Sequence, residues 1–243
     1  MSDSSVIYTT DGHVAFVTLN RPEADNVINR QLAQQMDEVC AGINQSDDIY
    51  VVVITGAGDR AFCSGSEART NVAAAVAGID WPVICAINGD ALGEGLEIAL
   101  SCDIRLASEK VRFGLPQLAA GFIPINGGTQ RLPRLIGRGK AMELILTAGI
   151  ISAEEALETG LVSRIVSPQQ LAAEAEALAK KMATQAPISL RYVKEAVNKG
   201  MDLTLEQGLH LEADLYLLLH TTADRTEGIT AFREKRTPEF KGE

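Results

Sequence analysis

The order of apolar and polar positions gives the first elements. Val6 to Tyr8, a turn at Asp11-Gly12 and the apolar run from Val14 to Leu19 predict a β-hairpin, which Asn20-Arg21-Pro22 brings to an end. From Asn29 onward, Leu32, Met36, Val39 and Ile43 recur at helical spacing. Residues 51–56 form a β-branched run with no polar alternation, the pattern of a strand covered on both faces, and residues 82–89 repeat it. A helix over about residues 94–102 and a strand over 103–107 follow. This alternation predicts an α/β protein with strands buried between helices.

Beyond Gly127-Gly128 the pattern turns helical. Helices are expected over 137–146, from Ser152 to Thr159 and over 167–183, with a short strand at 162–166. Ser152-Ala153-Glu154-Glu155 has the spacing of a capping box. The last stretch, 187–232, is leucine-rich: Leu203, Leu205, Leu209, Leu215, Leu217, Leu218 and Leu219 fit a helix that docks either on a partner subunit or on its own domain.

Composition narrows the function classes. The chain has 243 residues, 46% hydrophobic and 22% charged, enough for one main core. Its formal charge of −10 gives no electrostatic support for a nucleic-acid surface. Cys40, Cys63, Cys85 and Cys102 form no CxxC pair and no zinc-like spacing with the three histidines, so reduced thiols and no metal are expected. Residues 1–10 lack a basic and apolar leader pattern, and no apolar run approaches the ~20 residues of a membrane span. A soluble cytoplasmic protein without membrane association is expected. His13, His210 and His220 stand alone and read as surface or packing residues.

Two glycine-punctuated loops each follow a buried strand: residues 61–66, and Asn88-Gly89-Asp90-Ala91-Leu92-Gly93-Glu94-Gly95. Such loops offer free backbone N–H groups to an oxyanion or a phosphate. Neither is a Walker A motif or a dinucleotide fingerprint, which disfavours ATP and NAD.

The run from Asn88 through Glu97 to Asp103, the segment Phe113-Gly114-Leu115-Pro116-Gln117, and the run from Ile123 through Asn126-Gly127-Gly128 to Leu132 resemble the enoyl-CoA hydratase/isomerase (crotonase) family. Leu19-Asn20-Arg21-Pro22, residues 61–66, 153–162 and 227–236 agree with it in the same order. The resemblance implies an α/β fold, a crotonase-like spiral of ββα units over residues 1–187, and a C-terminal helical trimerisation region over 188–243. It implies a homotrimer or dimer of trimers, an acyl-CoA thioester as substrate, and no cofactor beyond the coenzyme A of that substrate.

It also implies roles. The amides of Ser66 and Glu94 would form an oxyanion hole for the thioester oxygen, where charge builds as an enolate forms. Glu97 matches the family's water-activating glutamate, and its apolar neighbours Leu96, Ile98, Ala99 and Leu100 suit a raised pKa. The second glutamate of family hydratases falls on Gln117, twenty positions further along. An amide orients water or substrate but exchanges no proton. The departures are therefore Gln117 and Glu94, which replaces the usual glycine. The Glu94 carboxylate is expected to turn to solvent, stabilised by the N-terminus of its helix. The competing route has it share a face with Glu97 and supply the second proton.

For coenzyme A, the resemblance points to Ala24 in the 22–24 turn, to the backbone around Cys63 and Gly65, and to Tyr216 and Lys235 from a neighbouring subunit. Cys63 as a nucleophile lacks an evident base. Only residues 67–80 separate Ser66 from Trp81, where the family has a longer helical excursion. That implies a more open acyl site, suited to a bulky or cyclic group, or a neutral trimming of a surface loop. Hydration of an enoyl-CoA is the leading reading. A double-bond isomerase and a catalytically silent acyl-CoA binding protein are the alternatives.

Overall fold

A computed structural model describes residues 4–243. It opens with the antiparallel hairpin β1 (Val6–Asp11) and β2 (Val14–Leu19). A 3-10 turn at Pro22–Ala24 leads to α1 (Arg30–Asn44), capped by the Asn29 side chain, which accepts the Leu32 N–H at 2.8 Å. Leu32, Met36, Cys40 and Ile43 form its buried face, with Val39 packed at the edge.

The chain then repeats one unit three times: strand, short strand, helix. The first is β3 (Val51–Gly56), β4 (Ala61–Cys63) and α2 (Val72–Ala77). The second is β5 (Val83–Ile87), β6 (Asp90–Leu92) and α3 (Glu94–Ser101). The third is β7 (Ile104–Ser108), β8 (Arg112–Gly114) and, after a 3-10 turn at Pro116–Ala120, α4 (Gly128–Ile136). Then come α5 (Arg138–Leu146), β9 (Ile150–Ser152), α6 (Ala153–Glu158), β10 (Arg164–Val166), α7 (Leu171–Ala183), α8 (Pro187–Gly200), α9 (Leu205–Leu219) and α10 (Ala223–Glu234).

The two strands of each unit join different sheets. The larger sheet runs β1-β2-β3-β5-β7-β10, parallel from β2 onward, and the smaller runs β4-β6-β8-β9. Every unit therefore advances both sheets by one strand, which is the spiral of ββα units. β5 is wholly buried and β3 nearly so, which explains their unbroken apolar runs.

Some local expectations shift. Residues 61–63 and 90–92 are strands of the smaller sheet, not loop. The helix expected over 167–183 starts at Leu171 after a turn, and 187–232 is divided into three helices. The capping box at Ser152 is half made: its side chain accepts the Glu155 N–H at 3.3 Å, while the Glu155 carboxylate is drawn to Lys140. The reciprocal box closes instead at Thr204 and Gln207, where α9 begins.

α8 lies against α9, and the chain end returns to α10, where the buried Asp224 carboxylate accepts the N–H groups of Lys241 and Gly242. This C-terminal region keeps large apolar side chains in the open, including Leu205 at 80% and Phe232 at 85% exposure. All four cysteines are free and buried. No helix among the described residues is long and apolar enough to cross a membrane.

Candidate active site

The site forms where the end of β4 meets the start of α3. At Gly95 a Cβ would overlap the carbonyl oxygen of Cys63, so only glycine lets α3 begin against that strand end. Gly93 caps α3 at a φ of 55°, and a Cβ there would sit 3.6 Å from the Cα of Gly65. The two glycine-punctuated segments thus lie against each other.

Ser66 forms a parallel bridge with Ile28: the Ile28 N–H bonds to the Gly65 carbonyl and the Glu67 N–H to the Ile28 carbonyl, both at 2.9 Å. That pattern leaves the Ser66 N–H without an acceptor among the described residues. The Glu94 N–H, first in α3, has none inside its helix. Both residues border one cleft of about 980 Å³, together with Glu97 and Gln117.

Glu97 is 1% exposed and held asymmetrically. Its Oε1 accepts the N–H of Asn126 at 2.8 Å and of Gly128 at 2.9 Å, while Oε2 faces the Gln117 Nε2 at 3.5 Å. One oxygen is anchored by two backbone donors and the other meets only the Gln117 amide. Burial raises the Glu97 pKa above the usual carboxylate value, against the opposing pull of the Gly128 and Asn126 N–H groups; the Glu94 charge adds to the rise and Arg131 works against it. Gln117 keeps its own Oε1 buried and without a protein partner.

Glu94 departs from expectation. Its carboxylate does not turn to solvent: the residue is 3% exposed, Oε2 accepts the Thr70 hydroxyl at 2.8 Å, and Oε1 accepts the Val72 N–H at 3.1 Å. It does lie at a helix N-terminus, but that of α2, not its own. Nor do Glu94 and Glu97 work one face together. They are three apart in the first turn of α3, yet one reaches residues 70–72 and the other residues 117–128, because each finds its donors on a different neighbouring segment.

Cys63 is buried under the cleft, its thiol directed to the Gly65 carbonyl and pushed up to about 12 foremost by burial, which leaves no thiolate near neutral pH. Ala24 ends the 3-10 turn packed on this loop, where the Asp25 carbonyl accepts both the N–H and the hydroxyl of Ser64. Tyr216 on α9 and Lys235 at the end of α10 do not border the cleft of their own chain. His13 stacks on Tyr50 at 4.1 Å and His220 meets Tyr216 edge-on at 5.0 Å, both exposed at the surface and away from the cleft. Sequence reasoning missed the donors: Thr70 and Val72 for Glu94, Asn126 and Gly128 for Glu97. The Asn126-Gly127-Gly128 run ahead of a helix was a readable signal for free N–H groups.

A family model described as enoyl-CoA hydratase/isomerase matches residues 9–243. An (E)-benzylidenesuccinyl-CoA hydratase of Thauera aromatica is 42% identical, covering 98% of this chain and 99% of its own length. A short-chain-enoyl-CoA hydratase of Clostridium acetobutylicum is 39% identical, covering 97% of each. The crystal structure of an enoyl-CoA hydratase from Bacillus anthracis superimposes with a TM-score of 0.95 at 39% identity, over 98% of this chain and 100% of that one. This chain belongs to the enoyl-CoA hydratase/isomerase family.

Proposed function

We propose that this protein hydrates an α,β-unsaturated CoA thioester with Glu97 as its one working carboxylate. The observation that carries the reading is the asymmetry of Glu97: Oε1 is fixed by two backbone N–H groups, while Oε2, at the cleft, meets only the Gln117 amide at 3.5 Å. The Ser66 and Glu94 N–H groups hydrogen-bond the thioester oxygen. A water gives a proton to Glu97 Oε2 as its oxygen adds to the β-carbon, and the double-bond electrons move to an enolate held by those donors. Glu97 then returns the proton to the α-carbon, so water adds from one side. The Gln117 side chain, which borders the cleft beside Glu97, orients that water.

Retention of an oriented Glu97 with a raised pKa favours turnover over silent binding. Gln117 counts against a double-bond isomerase, for which family members more often keep a carboxylate there. These steps draw only on the chain's own groups and on the coenzyme A carried by the substrate. Ala24, the backbone at Cys63 and Gly65, and Tyr216 with Lys235 from a neighbouring subunit are the coenzyme contacts in this reading, which entails a homotrimer or dimer of trimers. Exposed apolar side chains on α8 to α10 support such an assembly. A cytoplasmic location accords with a metabolic CoA substrate. The shortness of the 67–80 segment supports a bulky or cyclic acyl group. A screen of enoyl-CoA esters, read by mass for the gain of one water, tests the activity. A product in no case would overturn it.

A further inference from the structure

Glu94 carries a demand that the family resemblance does not explain: a buried carboxylate on the very residue whose N–H faces the thioester. Its carboxylate is satisfied by Thr70 and Val72, in the segment that starts at Ser66, the other donor. Residues 67–71 have no helix of their own before α2 begins at Val72. Near Ser66 the segment is tied by the Glu67 N–H to the Ile28 carbonyl at 2.9 Å and by the Arg21–Glu67 ion pair at 3.0 Å. At its far end, Glu94 holds it to α3. A glycine at 94 makes neither bond.

The two donors also offset the charge. A hydroxyl, an amide at the start of α2 and the absence of any free carboxylate oxygen make this group tolerable close to a forming enolate. Its negative charge remains within reach of Glu97, which also faces Arg131 from α4, the Gln117 amide and the Asn126 and Gly128 N–H groups.

We propose that the Glu94 side chain is the positioning residue of the oxyanion hole: it ties the 67–72 segment to α3 so that the Ser66 N–H and its own N–H converge on one thioester oxygen. This rests on the reading of those two amides as the oxyanion donors. It makes the acid at position 94, together with the packing of α2 on α3, a substitute for a longer wall between Ser66 and α2.

The test uses a ligand that binds without reacting, butyryl-CoA labelled with ¹³C at the thioester carbonyl, and reads the carbonyl stretch by difference infrared spectroscopy at saturation. Wild type should lower the stretch. Glu94→Ala should lose at least half of that lowering and, with an active enoyl-CoA, lose kcat by about tenfold or more with KM changed less than about threefold, since the donors act in the transition state. Glu94→Gln should keep the lowering, because its Oε1 accepts the Val72 N–H and its Nε2 donates to the Thr70 hydroxyl. It should also move the acidic limb of the kcat profile to lower pH, as the charge near Glu97 is gone. If Glu94→Ala does not fold, Thr70→Val, which removes one of the two ties, should show a partial loss. A full carbonyl shift in folded Glu94→Ala, or in Thr70→Val where Ala does not fold, overturns the proposal. So does a Glu94→Gln protein that loses the shift. A wild-type protein that shifts the carbonyl but hydrates no enoyl-CoA contradicts the hydration reading and leaves this one standing.

Discussion

The side-chain nitrogen of Gln117 stands 3.5 Å from the second carboxylate oxygen of Glu97, at the outer limit of hydrogen-bond distance. The contact is loose, and it marks the place where a second carboxylate would act if one were present.

Gln117→Glu puts that carboxylate there. Two acids so close share a proton, and the protonated one can serve the α-carbon while the other takes the water proton. Hydration should rise by about tenfold or more, on the scale of a general acid gained. A drop of similar size would mean that the Gln117 amide is needed for aiming the water.

Glu97 ionises at a cost to the fold. Its pKa is raised on folding, so its contribution to stability is present below the unfolded carboxylate value and is lost as pH rises through the folded value. Glu97→Gln carries no such loss and still offers an oxygen to the Asn126 and Gly128 N–H groups. Its melting temperature relative to wild type should therefore climb between pH 4 and pH 8. A difference independent of pH, followed by calorimetry, contradicts the raised pKa.

Cys63 should be inert. A buried thiol pushed up to about 12 presents no thiolate to iodoacetamide at pH 7.5. Mass spectrometry of the treated native protein should find Cys63 unmodified and activity intact. Rapid labelling with loss of activity would show that the loop opens.

The exposed leucine face of α9 and Phe232 of α10 should be covered in solution. Sedimentation at micromolar concentration should give a trimer or its dimer. A monomer of 26.0 kDa would remove Tyr216 and Lys235 from the coenzyme site.

The large sheet was legible because residues 51–56 and 83–87 are long enough to show an unbroken apolar run. The smaller sheet was not: a strand of three residues such as Ala61–Cys63 cannot display a period, and its glycine neighbours read as loop. The positions of Glu97 and Gln117 were legible from motif spacing. The burial of Glu94 was not, since Val72 lies 22 residues away in the chain and only the folded spiral brings the two together. The Glu94 carboxylate does meet positive backbone charge at a helix start, but that of α2 and not of its own helix. Spacing along α3 likewise put Glu94 and Glu97 on one face, without showing that each would be drawn to donors on a different segment.

Glu97→Gln decides the matter most directly, measured as hydration of whichever enoyl-CoA the wild type turns over, beside binding of butyryl-CoA. Glutamine keeps the anchoring bonds of Oε1 and removes the carboxylate that takes up and returns the proton, so binding should persist while kcat falls by about 10²-fold or more, roughly 2.7 kcal/mol of barrier. Turnover at the wild-type rate would show that the proton travels by another group and that Glu97 is not the catalytic carboxylate.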